Sequence, residues 1–116
     1  MRHRKNKVTL SRTKAARESM LRTLAADVVL HEGVTTSEAK AKAVKPLVEK
    51  MITRGKSGSI TARRYLLAFF PTEAAVKKII DVLGVRYATR PGGYTRITKL
   101  GQRQGDASEQ VRIELV

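Results

Sequence analysis

The stretch Thr72–Lys99, TEAAVKKIIDVLGVRYATRPGGYTRITK, decides the fold. Val76, Ile79, Ile80, Leu83 and Tyr87 recur at the three- and four-residue steps of one buried helix face. Thr72 stands at the N-cap position with Glu73 in the first turn, while Gly84 weakens the last turn. Pro91-Gly92-Gly93 then ends any helix. Beyond it the period becomes two: Tyr94–Lys99 reads as one strand. Val111, Ile113 and Leu115, alternating with Arg112 and Glu114, read as another, joined to the first by a loop over 101–107. Helices first and strands late predict an α+β domain.

Toward the N-terminus the helical period continues. Residues 60–69 read as a short third helix that packs Tyr65, Leu66 and Phe69, after a flexible connection over 55–59. In the second helix Val44, Leu47, Val48, Met51 and Ile52 make the buried face, and Lys40, Lys42, Lys45, Glu49 and Lys50 fall mostly on the other. Thr35 and Glu38 have the capping-box spacing that opens it, and Pro46 should kink or divide it. Val34–Thr36 reads as a short edge strand. A first helix over about residues 12–31 takes Ser11 as its N-cap and Gly33 as its C′ residue, with Met20, Leu21, Leu24 and Val28 as its apolar stripe. The expectation is an α+β fold with about four helices on a small three-stranded mixed sheet. Residues 11–116 form a single globular domain, and 1–10 an extended basic arm that becomes ordered on a partner.

Composition narrows the function. The 116 residues suit one domain and the 41% hydrophobic content a real core. Cys is absent, which excludes disulfides, thiolate catalysis and Cys-based zinc sites. The longest apolar run, Tyr65–Phe70, is far short of the roughly 18–20 residues of a bilayer span. Arg12 follows Leu10 too closely for a signal peptide, so the expected location is cytoplasmic.

The net charge of +14 is the main functional datum. So large an excess repels itself, and an anionic partner relieves that repulsion. Residues 1–17 carry Arg2, Arg4, Lys5, Lys7, Arg12, Lys14 and Arg17 without one acid. Cations in the first turn of a helix oppose its dipole, a mismatch that a phosphate bound there would remove. Val85–Gly105 is also acid-free and carries Arg86, Arg90, Arg96, Lys99 and Arg103. Within it Gly92 and Gly93 allow close backbone approach, and Tyr94 either stacks on a base or fills the core. These cations lie in an arm, a turn and a strand rather than on one amphipathic helix, which disfavours a membrane surface and favours nucleic acid. No helix-turn-helix is visible, and an arm with glycine-bearing loops suits folded RNA better than duplex DNA.

Catalytic groups are poorly represented. His3 and His31 are linked to no nucleophile, and His31 fits dipole compensation at a helix end. Gly55-Lys56-Ser57 lacks the upstream glycine of a phosphate-binding loop, since Lys50 occupies that place. Asp106 and Glu109 read as solvated loop residues. No cofactor, metal or small-molecule substrate is implied. A small DNA-binding or nucleoid protein is the second reading, and an RNA-modifying enzyme the third.

Four segments together are specific. These are Met1-Arg2-His3-Arg4-Lys5, Leu10-Ser11-Arg12, Gly33–Lys42 (GVTTSEAKAK) and Arg90–Ile97 (RPGGYTRI). With the ending Ile113-Glu114-Leu115-Val116, the chain resembles the bacterial large-subunit ribosomal protein L-seventeen family over essentially its whole length. That resemblance implies a structural component of the large ribosomal subunit, with large-subunit ribosomal RNA and neighbouring ribosomal proteins as partners, near the outer end of the exit-tunnel region. Carried over by position, it implies RNA contacts from Arg2, His3, Arg4, Lys5, Lys7 and Arg12, and from Arg90, Gly92, Gly93, Tyr94, Thr95 and Arg96. The basic residues Lys14, Lys99 and Arg103 extend those two groups.

Overall fold

The computed structural model describes residue 10 and residues 12–116. Ser11 and the arm residues Arg2, His3, Arg4, Lys5 and Lys7 lie outside the described residues. Three helices come first, α1 (Lys14–His31), α2 (Glu38–Gly55) and α3 (Ile60–Phe69), with strand β1 (Gly33–Ser37) between α1 and α2. A fourth helical run comprises α4 (Glu73–Lys78), a π-helical segment (Ile79–Leu83) and α5 (Gly84–Arg86). Strands β2 (Thr95–Gln102) and β3 (Glu109–Leu115) close the chain.

The α+β arrangement is as the period change predicts, but the sheet is antiparallel rather than mixed. Its order is β1-β3-β2, with β3 antiparallel to both neighbours. β1 and β2 therefore run the same way, yet β3 lies between them, so no parallel ladder forms. The inward face carries Val34, Ile97, Val111 and Ile113 against the helices, and Val111 and Ile113 are completely buried. Helix residues Val28, Val29, Val44, Val48, Ile52, Leu66, Val76, Ile79 and Leu83 fill the rest of this core.

Two N-caps and one left-handed residue differ from the sequence reading. Thr13 caps α1, its hydroxyl accepting from the Ala16 N–H at 3.4 Å. α1 ends at His31 as its period predicts, but Glu32 rather than Gly33 takes the left-handed conformation (φ 60°) that ends it, so Gly33 already belongs to β1. Glu32 is held there by long-range charge: its carboxylate bonds Arg86 and lies 3.2 Å from Lys78 Nζ, which also donates to the Leu30 carbonyl at 3.0 Å. Ser37, not Thr35, caps α2 and accepts from the Lys40 N–H, because β1 runs on to Ser37 and the first helical residue is Glu38. α2 runs unbroken through Pro46, whose ring is exposed; the missing N–H removes one ladder bond from an otherwise well-buried helix.

The π segment answers a packing demand. Ile79 lies directly over Gly55, where an added Cβ would collide with Ile79 Cγ2. A Cβ on Gly84 would come within 3.2 Å of the Ile79 carbonyl and 3.5 Å of the Gly55 carbonyl. The Gly84 N–H bonds back five residues to Ile79, which widens the helix at the crossing. Gly84 is thus not merely a weak last turn: it lets the two helices meet.

Candidate nucleic-acid interface

The turn after α5 is built by the core on one side and left open on the other. Tyr87 is buried and its hydroxyl donates to the Val116 carbonyl at 2.8 Å, while the Tyr94 carbonyl accepts from the Val116 N–H at 2.9 Å. Between these anchors the Arg90 N–H returns to the Tyr87 carbonyl at 3.0 Å. The exposed Arg90 guanidinium sits over the Tyr87 ring, 5.6 Å from its centroid. Gly93 has φ +66°, a conformation that favours glycine. Gly92 has neither that conformation nor any neighbour within 4 Å of a Cβ built on it. Nothing among the described residues requires a glycine there.

Tyr94 and Thr95 correct the expectation of direct contact. Tyr94 is completely buried, packed against Tyr87 with ring centroids 5.0 Å apart, so core filling replaces base stacking. Its hydroxyl donates to the Arg90 carbonyl at 3.2 Å and accepts from Lys56 Nζ at 3.1 Å, with Thr53 Oγ1 at 3.3 Å. Lys56 also donates to the Arg90 carbonyl at 2.6 Å. Burial pushes the Tyr94 phenol up, but hydrogen bonds from Thr53 and Lys56 and the ammonium charge outweigh it, so the pKa lies below the ordinary tyrosine value. Thr95 is 6% exposed; its N–H donates to Glu49 at 3.3 Å and its hydroxyl has no partner among the described residues. Glu49, Thr53 and Lys56 stand four and three residues apart, the spacing of one helix face. Their role was invisible in sequence because it depends on partners about 40 residues away; Glu49 had looked like one more solvated charge.

On the outward face of the sheet, Arg96 bonds Glu114 at 2.9 Å and Arg112 reaches the same carboxylate at 3.2 Å. These two arginines, Arg96 first, hold Glu114 below its ordinary pKa. Arg112 lies across Gly33, where a Cβ would meet its guanidinium. Arg96 remains 62% exposed, so its ion pair is of the weak surface kind and can be exchanged for a phosphate. Arg103 pairs with Asp106, which also accepts from the Ser108 N–H at 3.1 Å; Asp106 organises the hairpin loop rather than idling in solvent. Lys99 and Lys14 are exposed and form no ion pair among the described residues. Arg12 donates to the Leu10 carbonyl at 3.0 Å, just before α1. No hydrogen bond or ion pair joins Arg12 or Lys14 to the Arg90–Gly93 turn.

The sequence profile of the family described as ribosomal protein L17 matches residues 20–116. That span contains both the turn and the sheet. The chain belongs to the ribosomal protein L17 family. Its relatives include a large ribosomal subunit protein bL17 of Solibacter usitatus, 50% identical over all of this chain and 77% of the relative. The bL17 of Dehalococcoides mccartyi is 46% identical over all of this chain and 99% of that protein. The bL17 of Caldanaerobacter subterraneus is 50% identical over 92% of this chain and 96% of its own length.

The L17 profile starts at residue 20, so Arg12, Lys14 and the arm are matched by the full-length relatives alone. Among the described residues, no group of three His, Asp or Glu side chains could hold a metal ion. No described helix of this L17 family member is long and apolar enough to cross a membrane.

Proposed function

We propose that this member of the L17 family is a non-enzymatic constituent of the bacterial large ribosomal subunit, where it binds and stabilises large-subunit ribosomal RNA and touches neighbouring ribosomal proteins. The basic arm (Arg2, His3, Arg4, Lys5, Lys7) continues into Arg12 and Lys14 and supplies one set of phosphate contacts. Arg90, Gly92 and Gly93 supply the second, extended along β2 by Arg96, Lys99 and Arg103. Tyr94 and Thr95 support that turn from within the core. The observation that carries the turn's role is Gly92, a glycine that folding does not need beside an arginine with its guanidinium in solvent. A phosphate-ribose backbone approaching to van der Waals distance does need it. Arginine supplies the planar, bidentate hydrogen bonding that phosphate accepts.

The test is competition. A folded large-subunit RNA fragment should displace the protein from duplex DNA of equal charge at physiological salt with magnesium, and crosslinks should fall on the arm, on residues 90–93 and on Arg96. Equal affinity for both nucleic acids would favour a nucleoid-type protein instead.

A further inference from the structure

Beyond the contacts themselves, the turn has a dedicated support. We infer that Glu49 and Thr53 on α2 and Lys56 at its C-cap are positioning residues that lock the Arg90–Gly93 turn, through Tyr94, into its RNA-binding shape before RNA arrives. This inference rests on the reading of that turn as an RNA contact.

The turn itself is poorly furnished for rigidity. Two of its four residues are glycines, and neither has a neighbour within 4 Å of the place a Cβ would occupy. Among the described residues, its backbone N–H bonding is limited to Arg90, and Gly92 and Gly93 make no backbone bond outside regular structure. Such a segment samples many conformations unless something holds it, and each would have to be given up on binding. The hold comes from α2. Lys56 Nζ reaches the Arg90 carbonyl at 2.6 Å and the Tyr94 hydroxyl at 3.1 Å, and that hydroxyl donates to the same carbonyl at 3.2 Å. One carbonyl thus receives two side-chain donors, at the residue where the turn leaves the body. Glu49 fixes the other end by accepting from the Thr95 N–H at 3.3 Å. Thr53 lies between them, its hydroxyl able to donate in turn to the Glu49 carbonyl at 3.0 Å or to the Tyr94 hydroxyl at 3.3 Å.

The arrangement also has an electrostatic consequence. Lys56 is half-buried, with its ammonium 5.4 Å from the centroid of the Tyr94 ring. Its charge is spent inside the turn on a carbonyl and a phenol, so it acts on RNA through Arg90 rather than as a phosphate ligand. That distinction separates the three possible roles of Lys56 in one experiment.

The variants are Tyr94→Phe, Lys56→Met, the double variant and Arg90→Ala, each assayed as full chain on a folded large-subunit RNA fragment across a salt series. Tyr94→Phe keeps the buried ring and changes no charge. Preorganisation predicts that it weakens RNA binding several-fold with the slope of log affinity against log salt unchanged. Lys56→Met should behave alike, and the double variant should be little worse than the worse single one, because both groups hold one carbonyl. Amide exchange at Arg90 and Thr95, the bonded N–H groups at the two ends of the turn, should accelerate in all three. A normal affinity for Tyr94→Phe, with a slope flattened by about one phosphate contact for Lys56→Met, would make Lys56 a direct ligand and overturn the inference. Lowered stability with unchanged affinity of the folded fraction would make the cluster merely structural and overturn it too. Arg90→Ala tells this failure from that of the underlying reading: if it binds RNA normally, the turn is not a contact at all.

Discussion

Gly55 and Gly84 at the helix crossing, and Gly92 and Gly93 in the turn, are two glycine pairs with opposite surroundings. The first pair is buried, and a methyl group on either would press into Ile79 or the facing backbone. At the second pair no atom of the described residues beyond the chain neighbours lies within 4 Å of the place a Cβ would occupy. Folding accounts for the first pair by contact and for Gly93 by its positive φ. It does not account for Gly92. A residue that folding leaves unexplained, on a basic turn beside the exposed Arg90, is where a partner's requirements show through.

The crossing should be the more sensitive of the two. Ile79→Ala should destabilise by about 2–5 kcal/mol in chemical denaturation, as large-to-small changes in a closed core do. Gly55→Ala should cost about 1–3 kcal/mol by overpacking. Because the two collide with each other, the double variant should cost less than the sum; strict additivity would show that they do not share one space. Ile80 is only partly buried, so Ile80→Ala should cost less than Ile79→Ala.

Within the turn, Gly93→Ala should cost roughly 1–2 kcal/mol because it forces a side chain into the left-handed region. Gly92→Ala should leave stability within about 0.5 kcal/mol of the parent while lowering RNA affinity. If Gly92→Ala bound RNA normally, the contrast between the two glycine pairs would carry no functional meaning.

Glu32 sharpens the comparison as a third case, a left-handed residue that keeps its side chain for its charge. Hydrogen bonds from Arg86 and then Lys78 lower its pKa from 4.5 to about 2. A depressed carboxylate stabilises the fold fully above the unfolded pKa. Its contribution should therefore fade as pH drops from about 4.5 toward 2, and Glu32→Gln should flatten that part of the acid limb of the stability curve. An unchanged acid limb would show that the Glu32 bridges do not stabilise the fold.

How much of this was legible beforehand follows from the range of each cause. α3 begins and ends at the residues its period marks, and β3 was visible in the alternation of Val111, Ile113 and Leu115, because burial period is a local signal. The Glu32 turn was read one residue late because its charge partners are Lys78 and Arg86, on another helix. The π segment depends on the Gly55 crossing and has no local mark. Of the candidate site, the basic residues and the Gly-Gly turn could be read. The burial of Tyr94 and the support from Glu49, Thr53 and Lys56 could not, because helix spacing does not reveal which distant segment a face will meet.

The account's central claim, two basic segments on one RNA, is tested most directly by the salt dependence of binding to a folded large-subunit RNA fragment. With on the order of six or more phosphate contacts, affinity should fall by roughly 10³-fold or more between 50 and 200 mM salt. Deleting residues 1–7 should flatten the slope by up to about four times the per-phosphate coefficient of about 0.7–0.9 and leave the melting transition of the body in place. Arg90→Ala in the shortened chain should flatten it further. A slope that neither change alters would contradict the account.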